Sequence, residues 1–289
     1  MIVQKNRHEE AATAVLGNKR RARALLDALH ISNSSTFHFV ARPNRIIQEA
    51  ILFIHNAGAT TTCLVTPPKK HKDVERISVL IKEGFETLKD RDVQLAQTIM
   101  ENNEVLLTEA FSNAGFYKLA ILTYMERTEA APHFICVPTE LTFTPSTNVS
   151  DAQIQDALLE TYIESLDCPK IHGLRKIEDI VAGHRGQGIH DAQLWTIAEL
   201  GNKLAGILLL NPVPEAGCME LAYLGCPPIA RGKGTSDALM KLAIEQSAAY
   251  GLPRITLAVD SENAPAIRLY KRWNFRPTRE RLTMIQELY

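Results

Sequence analysis

The sequence is poor in the features from which several classes of protein are built. Its cysteines, Cys63, Cys136, Cys168, Cys218 and Cys226, are odd in number and form no C-x-x-C pair. Neither a disulfide framework nor a structural zinc site is expected from them. The charges cancel, with Lys+Arg 32 against Asp+Glu 33 and a net charge of −1. No basic excess marks nucleic acid or an anionic membrane as a partner. No run approaches the ~18–20 apolar residues of a membrane span, and the first residues, MIVQKNRHEEAATAV, are too polar for a secretory signal. A reducing cytoplasm is the expected location. The nine histidines are scattered. His184 and His190 share a glycine-rich stretch without acidic or cysteine company, so no metal site is expected there.

What is present is an ordinary globular composition, 45% hydrophobic and 22% charged over 289 residues, a length that suits two domains. Residues 11–30 read as a helix with a basic outer face at Lys19-Arg20-Arg21. Phe37 to Ala41 and Ala59 to Thr66 read as strands, the second rich in β-branched residues and stopped by Pro67-Pro68. Ile46 to His55 mixes helical and strand signals. Val74 to Lys89 has helical spacing, Val93 to Met100 reads as a strand, Asn102 to Ala114 as a helix stopped by Gly115, and Phe116 to Met125 as a strand. From Arg127 to about Ser150 prolines interrupt every pattern, apart from an isolated strand at Thr139 to Thr144. Domains are therefore expected at 1–130 and 139–289.

Beyond that boundary, helices are expected at Ile154 to Leu166 and Arg175 to His184, then strands at Gln193 to Ala198, Leu204 to Leu210 and Cys218 to Leu224. Thr235 to Tyr250 has helical spacing and Arg254 to Asp260 alternates as a strand. Asn263 as cap and Pro265 in the first turn start another helix, which runs to about Trp273. A last strand is expected over Arg281 to Ile285.

Two anchors suggest an internal repeat. Pro67-Pro68 recurs as Pro227-Pro228, 160 residues on, and Gly115-Phe116 as Asn274-Phe275, 159 residues on. Between these anchors both halves read strand, Pro-Pro, helix, strand, helix, strand. The first half continues K-K-H-K-D-V, with Val74 opposite Gly234, whereas the second continues I-A-R-G-K-G. Only the second half has the glycines that let a backbone come close to a phosphate.

That second-half turn carries the chemistry. An apolar strand ends at Pro227-Pro228, turns through Arg231-Gly232-Lys233-Gly234 and enters a helix at Thr235-Ser236. Unpaired amides at a helix start form a ready anion site, here for the pyrophosphate of a nucleotide-containing cofactor. The turn lacks the Gly-Lys-Ser/Thr ending of a P-loop, and no G-x-G-x-x-G follows a first strand.

Together with N-A-P-A-I-R-L-Y-K-R-W-N-F at residues 263–275, the turn resembles the GNAT superfamily of acyl-CoA N-acyltransferases. That family pairs Arg/Gln-x-x-Gly-x-Gly/Ala with N-x-x-A-x-x-L-Y-x-x-x-G-F. The resemblance covers residues 140–289 and, through the repeat, extends weakly to the first half. Ser236 stands where the pattern has Gly or Ala. Asn274 stands where it has Gly, and Asn is the side chain that best tolerates a left-handed helix end.

The resemblance implies an α/β (α+β) chain of two tandem GNAT-like domains, each a mixed, mostly antiparallel twisted sheet flanked by helices, the first degenerate. It implies acetyl-CoA as cofactor and a small-molecule or peptide amine as acceptor. The backbone of Leu224 and Cys226 would pair with the pantetheine arm, and the Cys226 amide would serve as oxyanion donor. Amides from Arg231, Gly232, Lys233, Gly234, Thr235 and Ser236 would hold the pyrophosphate. Asn263 would bond the cofactor arm, and Tyr270 would protonate the leaving thiolate. Glu220 is the expected base, with Tyr223 as an alternative if its hydroxyl faces the cleft. Each has a plainer reading: Glu220 as a salt-bridged strand residue, Tyr270, Trp195 and Trp273 as core, Cys226 as a small apolar strand residue, Arg231 and Lys233 as solvated charges. A second function is a non-catalytic acyl-CoA-binding sensor or interaction module.

Overall fold

The structure, a computed structural model, describes residues 1–31, 36–128 and 140–288. Cys136 and the prolines at 132 and 138 lie outside the described residues. In chain order the elements are α1 (His8–Leu16), α2 (Lys19–Ile31), β1 (Thr36–Ala41), β2 (Ala50–Asn56), β3 (Thr60–Val65), α3 (His71–Phe85), β4 (Leu95–Met100), α4 (Val105–Asn113) and β5 (Tyr117–Arg127). They continue with β6 (Leu141–Pro145), α5 (Asp151–Tyr162), α6 (Ile177–Arg185), β7 (Trp195–Leu200), β8 (Lys203–Val213), β9 (Cys218–Gly225), α7 (Thr235–Ala249), β10 (Ile255–Asp260), α8 (Ala264–Arg272) and β11 (Arg276–Glu287). The single helix expected over 11–30 is two, because Gly17 takes φ 65° and closes α1 by donating its amide to the Thr13 carbonyl. The ambiguous stretch before His55 resolves as β2.

The chain divides into two compact units, residues 1–120 with 281–289, and residues 121–280. The first sheet runs β1-β2-β3-β4 and is completed by the end of β11, whose Leu282 to Glu287 pair antiparallel with β4. The second runs β6-β7-β8-β9-β10 and is completed by β5, whose Leu122 to Arg127 pair antiparallel with β10. The two strands that end the repeat are thus exchanged: each closes the sheet of the other half. In both sheets the pair flanking the Pro-Pro helix, β3 with β4 and β9 with β10, is parallel, and the remaining pairs are antiparallel.

The element order of the repeat holds, with one correction to its register. A fixed offset places Val74 opposite Gly234, but α3 begins at His71, only three residues past Pro68, and Val74 is buried inside that helix. Lys70, not Val74, caps the helix as Gly234 caps α7. The first half lacks the turn itself as well as its glycines.

In the second unit the sheet carries apolar side chains on both faces, as a sheet covered by helices must. One face packs Leu208, Leu210, Met219, Leu221, Leu257 and Val259 against α7 and α8. The other packs Trp195, Ile197, Ile207 and Leu209 against α5 and α6. Trp195 donates its indole N–H to Asn211 Oδ1 at 2.8 Å, so the largest side chain of that face is buried with its polar atom satisfied.

Candidate functional site

The site arises where two parallel strands separate. β9 and β10 pair only at Met219 with Ile255 and Glu220 with Thr256. One residue later β9 bulges: its register with β8 moves from Tyr223 opposite Leu209 to Leu221 opposite Leu210, leaving Ala222 extra. A bulge bends its strand and ends regular pairing. Leu221 to Cys226 on one arm and Ala258 and Val259 on the other then line a cleft of about 360 Å³. Leu224 and Cys226 are both on its wall, where the separated strand edge is free to accept an extended ligand as an added strand. Burial pushes the Cys226 thiol up to about 12, consistent with a packing residue and not a nucleophile.

The glycine turn closes one end. Gly232 and Gly234 take φ 72° and 83°, a region open to glycine at little cost. Nothing lies within 4 Å of the place where a Gly232 side chain would begin. The first main-chain bond of α7 runs from the Ala238 amide to the Gly234 carbonyl at 3.1 Å, so the amides of Thr235, Ser236 and Asp237 have no intrahelical acceptor. Gly232 and Ser236 line the cleft; Lys233, Gly234 and Thr235 do not, and Thr235 is buried.

Arg231 departs from expectation. Its amide already donates to the Pro228 carbonyl at 3.3 Å, so the open amides begin at Gly232. Its guanidinium turns toward the end of α5 and donates to the carbonyls of Thr161 (3.2 Å), Ile163 (2.5 Å) and Glu164 (3.2 Å), as well as to Cys226 O (3.0 Å). A cation on the last carbonyls of a helix meets the negative end of its dipole. Arg231 ties the segment after α5 to the end of β9.

α8 supplies the opposite wall. Asn263 Oδ1 accepts from the Ala266 amide at 3.3 Å, a cap that contributes about 1 kcal/mol. Tyr270 is 6% exposed, tilts against Phe275 at 5.7 Å and lines the cleft. Its hydroxyl has no hydrogen-bond partner among the described residues. Burial, then the nearby Asp167 carboxylate, hold its pKa above the usual phenol value. It is therefore protonated at neutral pH, a donor and not a base. Asn274 takes φ 63°, the left-handed helix end expected of it.

The acidic groups are distributed unevenly. Glu220 sits at the vertex where the strands part but is not on the cleft wall. It is bonded by the Thr256 hydroxyl, and burial pushes its carboxyl up to about 6. Tyr223 lines the cleft, yet Thr161 Oγ1 gives its proton to the Leu158 carbonyl at 2.8 Å, so the Tyr223 hydroxyl must donate to Thr161 at 2.9 Å. That bond takes Tyr223 out of the search for a base. Asp167 and the exposed Glu164 are the acids on the wall; Asp167 is partly buried and raised above the usual carboxylate range by that burial. No motif marks it; it falls in S-L-D-C-P between two helices. His184 lies 5.7 Å from the Tyr223 ring with burial holding it at about 4, and His190 packs edge-on to Trp195. Among the described residues no three His, Cys, Asp or Glu groups are placed to hold a metal ion, and no helix is long and apolar enough to cross a membrane.

Residues 156–275 match the model of the acetyltransferase (GNAT) family. A mycothiol acetyltransferase from Beutenbergia cavernae is 30% identical over 105 residues, 36% of this chain and 35% of its own length. The matched stretch thus spans about a third of that relative. A GCN5-related N-acetyltransferase from Sphaerobacter thermophilus superposes with a TM-score of 0.64 at 17% identity, covering 97% of this chain and 90% of its own. A tandem GNAT protein from the clavulanic acid biosynthesis pathway gives 0.53 at 13% identity, over 92% and 87%. Cleft, turn and capped helix thus coincide with the residues that match the acetyltransferase (GNAT) family.

Proposed function

We propose that the second unit is an acetyl-CoA-dependent N-acetyltransferase that moves an acetyl group to a primary amine by direct attack. The observation that carries this reading is the buried Tyr270 hydroxyl, unpartnered among the described residues, in a cleft closed by the open amides that begin at Gly232. The named acetyltransferase relatives support acetyl as the group transferred.

The residues present fit acetyl-CoA. The open amides of Gly232 to Ser236 would hold its pyrophosphate, with Lys233 adding charge. The edge of Leu224 and Cys226 would pair with the pantetheine arm, and Asn263, with its Oδ1 committed to the cap, would offer an amide N–H. When bound, acetyl-CoA supplies an activated acetyl thioester. Glu220, at the vertex behind the cleft wall, would receive through water the proton that the acceptor nitrogen gives up as the N–C bond forms. The Cys226 amide, on the cleft wall, would be the donor to the thioester carbonyl oxygen. Tyr270 would give its proton to the leaving thiolate and regain one from solvent.

Calorimetry with acetyl-CoA together with free-thiol release across an amine panel tests the reading; no binding at millimolar concentration overturns it. The absence of Glu220 from the cleft wall favours one alternative, an acyl-CoA-binding sensor. Binding without thiol release from any amine would establish that alternative.

A further inference from the structure

The segment after α5 is held with unusual care. Glu164 and Cys168 bracket it with φ of 52° and 47°, left-handed conformations that cost a non-glycine residue about 1–2 kcal/mol each. Strain of this kind persists where surrounding bonds over-determine the backbone. Here they are the Arg231 guanidinium on Thr161, Ile163 and Glu164, the Cys168 amide on Asp260 Oδ2 at 3.2 Å, and the Asp167 amide on Ser165 Oγ at 3.2 Å. The result is to set the Asp167 carboxylate in the cleft wall. Its Oδ1 accepts the Asp260 amide at 3.2 Å, and the Asn263 side-chain amide bonds it as well.

What Asp167 lacks is a cation. Among the described residues no Lys or Arg acts on it; the charged groups that do are Asp260, which opposes its ionisation, and His172, which favours it. Taking a carboxylate partly out of water beside a second carboxylate is unfavourable unless a positive charge offsets it. Tyr270, buried and unpartnered among the described residues, faces the same cleft and feels that carboxylate.

We propose that Asp167 is the acceptor's anchor: its carboxylate pairs with the cationic nitrogen that is to be acetylated and fixes it beside Tyr270, which selects primary alkylamines that arrive as ammonium ions over uncharged arylamines. This assignment rests on the acetyl-transfer reading. Asp167 determines specificity here; the bound ammonium first gives up one proton to solvent, which frees the nitrogen lone pair, and the second leaves for Glu220 as the N–C bond forms.

The test compares wild type with Asp167→Asn and Asp167→Glu on benzylamine, glucosamine and spermidine, with aniline as the uncharged control. Free thiol is read in each case, and acetyl-CoA affinity is measured by calorimetry. Wild type is expected to acetylate an alkylamine and leave aniline at background. Asp167→Asn is expected to raise KM for that amine about thirtyfold or more, with kcat and the acetyl-CoA Kd nearly unchanged, and Asp167→Glu to raise it less. An unchanged KM overturns the proposal, as does equal turnover of aniline, which wild type alone can show if Asp167→Asn melts. A loss of acetyl-CoA affinity as large as the rise in KM also overturns it, by placing Asp167 on the cofactor arm. A wild-type chain that neither binds acetyl-CoA nor releases thiol fails at the acetyl-transfer reading itself.

Discussion

Both Pro-Pro helices carry an aspartate at their third residue, Asp73 in α3 and Asp237 in α7, and the two are used in opposite ways. Asp73 folds back over its own helix start and accepts the amides of Lys69 at 3.2 Å and Lys70 at 3.0 Å. The chain's own carboxylate sits where an external anion would bind. Asp237 is drawn the other way: Arg272 grips both its oxygens at 2.8 Å, and the Trp273 indole donates to Oδ1 at 2.8 Å. Every helix start attracts an anion; what keeps this one open is that its nearest acid has been engaged elsewhere. The extra residues between Pro228 and Thr235 then give the backbone room to turn around a ligand.

The comparison can be broken at several points. Gly232→Val should remove acetyl-CoA binding, since a β-branched side chain resists φ 72° and holds the ligand off the open amides. Two lost charge-assisted bonds at about 2 kcal/mol each make that about a thousandfold in Kd, measured by calorimetry. Tyr270→Phe gives the second unit what the first has at the corresponding place, the buried Phe111. It should lower kcat about a hundredfold with Kd unchanged; an unaltered kcat would remove Tyr270 from the chemistry.

Glu220→Gln sharpens the comparison further, because no carboxylate stands where β3 of the first unit pairs with β4, at Thr60, Thr61 and Thr62. As a base Glu220 must be ionised, so the wild-type rate should rise with pH through about 6. Its effect on stability has the opposite sign. Its folded pKa is raised from 4.5 to about 6, so the stability linked to its protonation is full below about 4.5 and lost as pH rises through about 6. Glu220→Gln should therefore be more stable than wild type at pH 8, by about 2 kcal/mol at most, while turning over more slowly. Denaturation at pH 4 and pH 8 checks both halves of that statement. The smallest effect belongs to Asp73→Ala, which should cost about 1 kcal/mol of stability through the lost cap and create no acetyl-CoA site in the first unit.

Much of this was legible in the sequence. The glycine turn, the Asn263 cap and Tyr270 are local: their spacing along one segment is their geometry in space, and the structure places Gly232, Ser236, Asn263 and Tyr270 on one cleft. Element order followed from periodicity for the same reason. Three features were hidden because they depend on distant partners. The guanidinium of Arg231 belongs to α5, some seventy residues earlier, and not to the turn that contains it. Asp167 gains its place from bonds to Asp260 and Asn263, over ninety residues on. The register of the Pro-Pro repeat was misread because proline pairs mark where strands end, whereas Lys70 and Gly234 decide where helices begin.

The exchange of β5 and β11 was the least legible of all, since a strand's pattern of side chains states which faces are buried and not which neighbour it takes. Its consequence lies in how the molecule is made. The first unit cannot close its sheet until residues 282–287 have been synthesised, long after the β4 strand they cover. Until then the β4 edge stands open to other chains. A ribosome stalled anywhere between α7 and β11 would hold a first unit with every helix formed and one strand missing, and a chaperone or a fragment of β11 added in trans should be what it waits for.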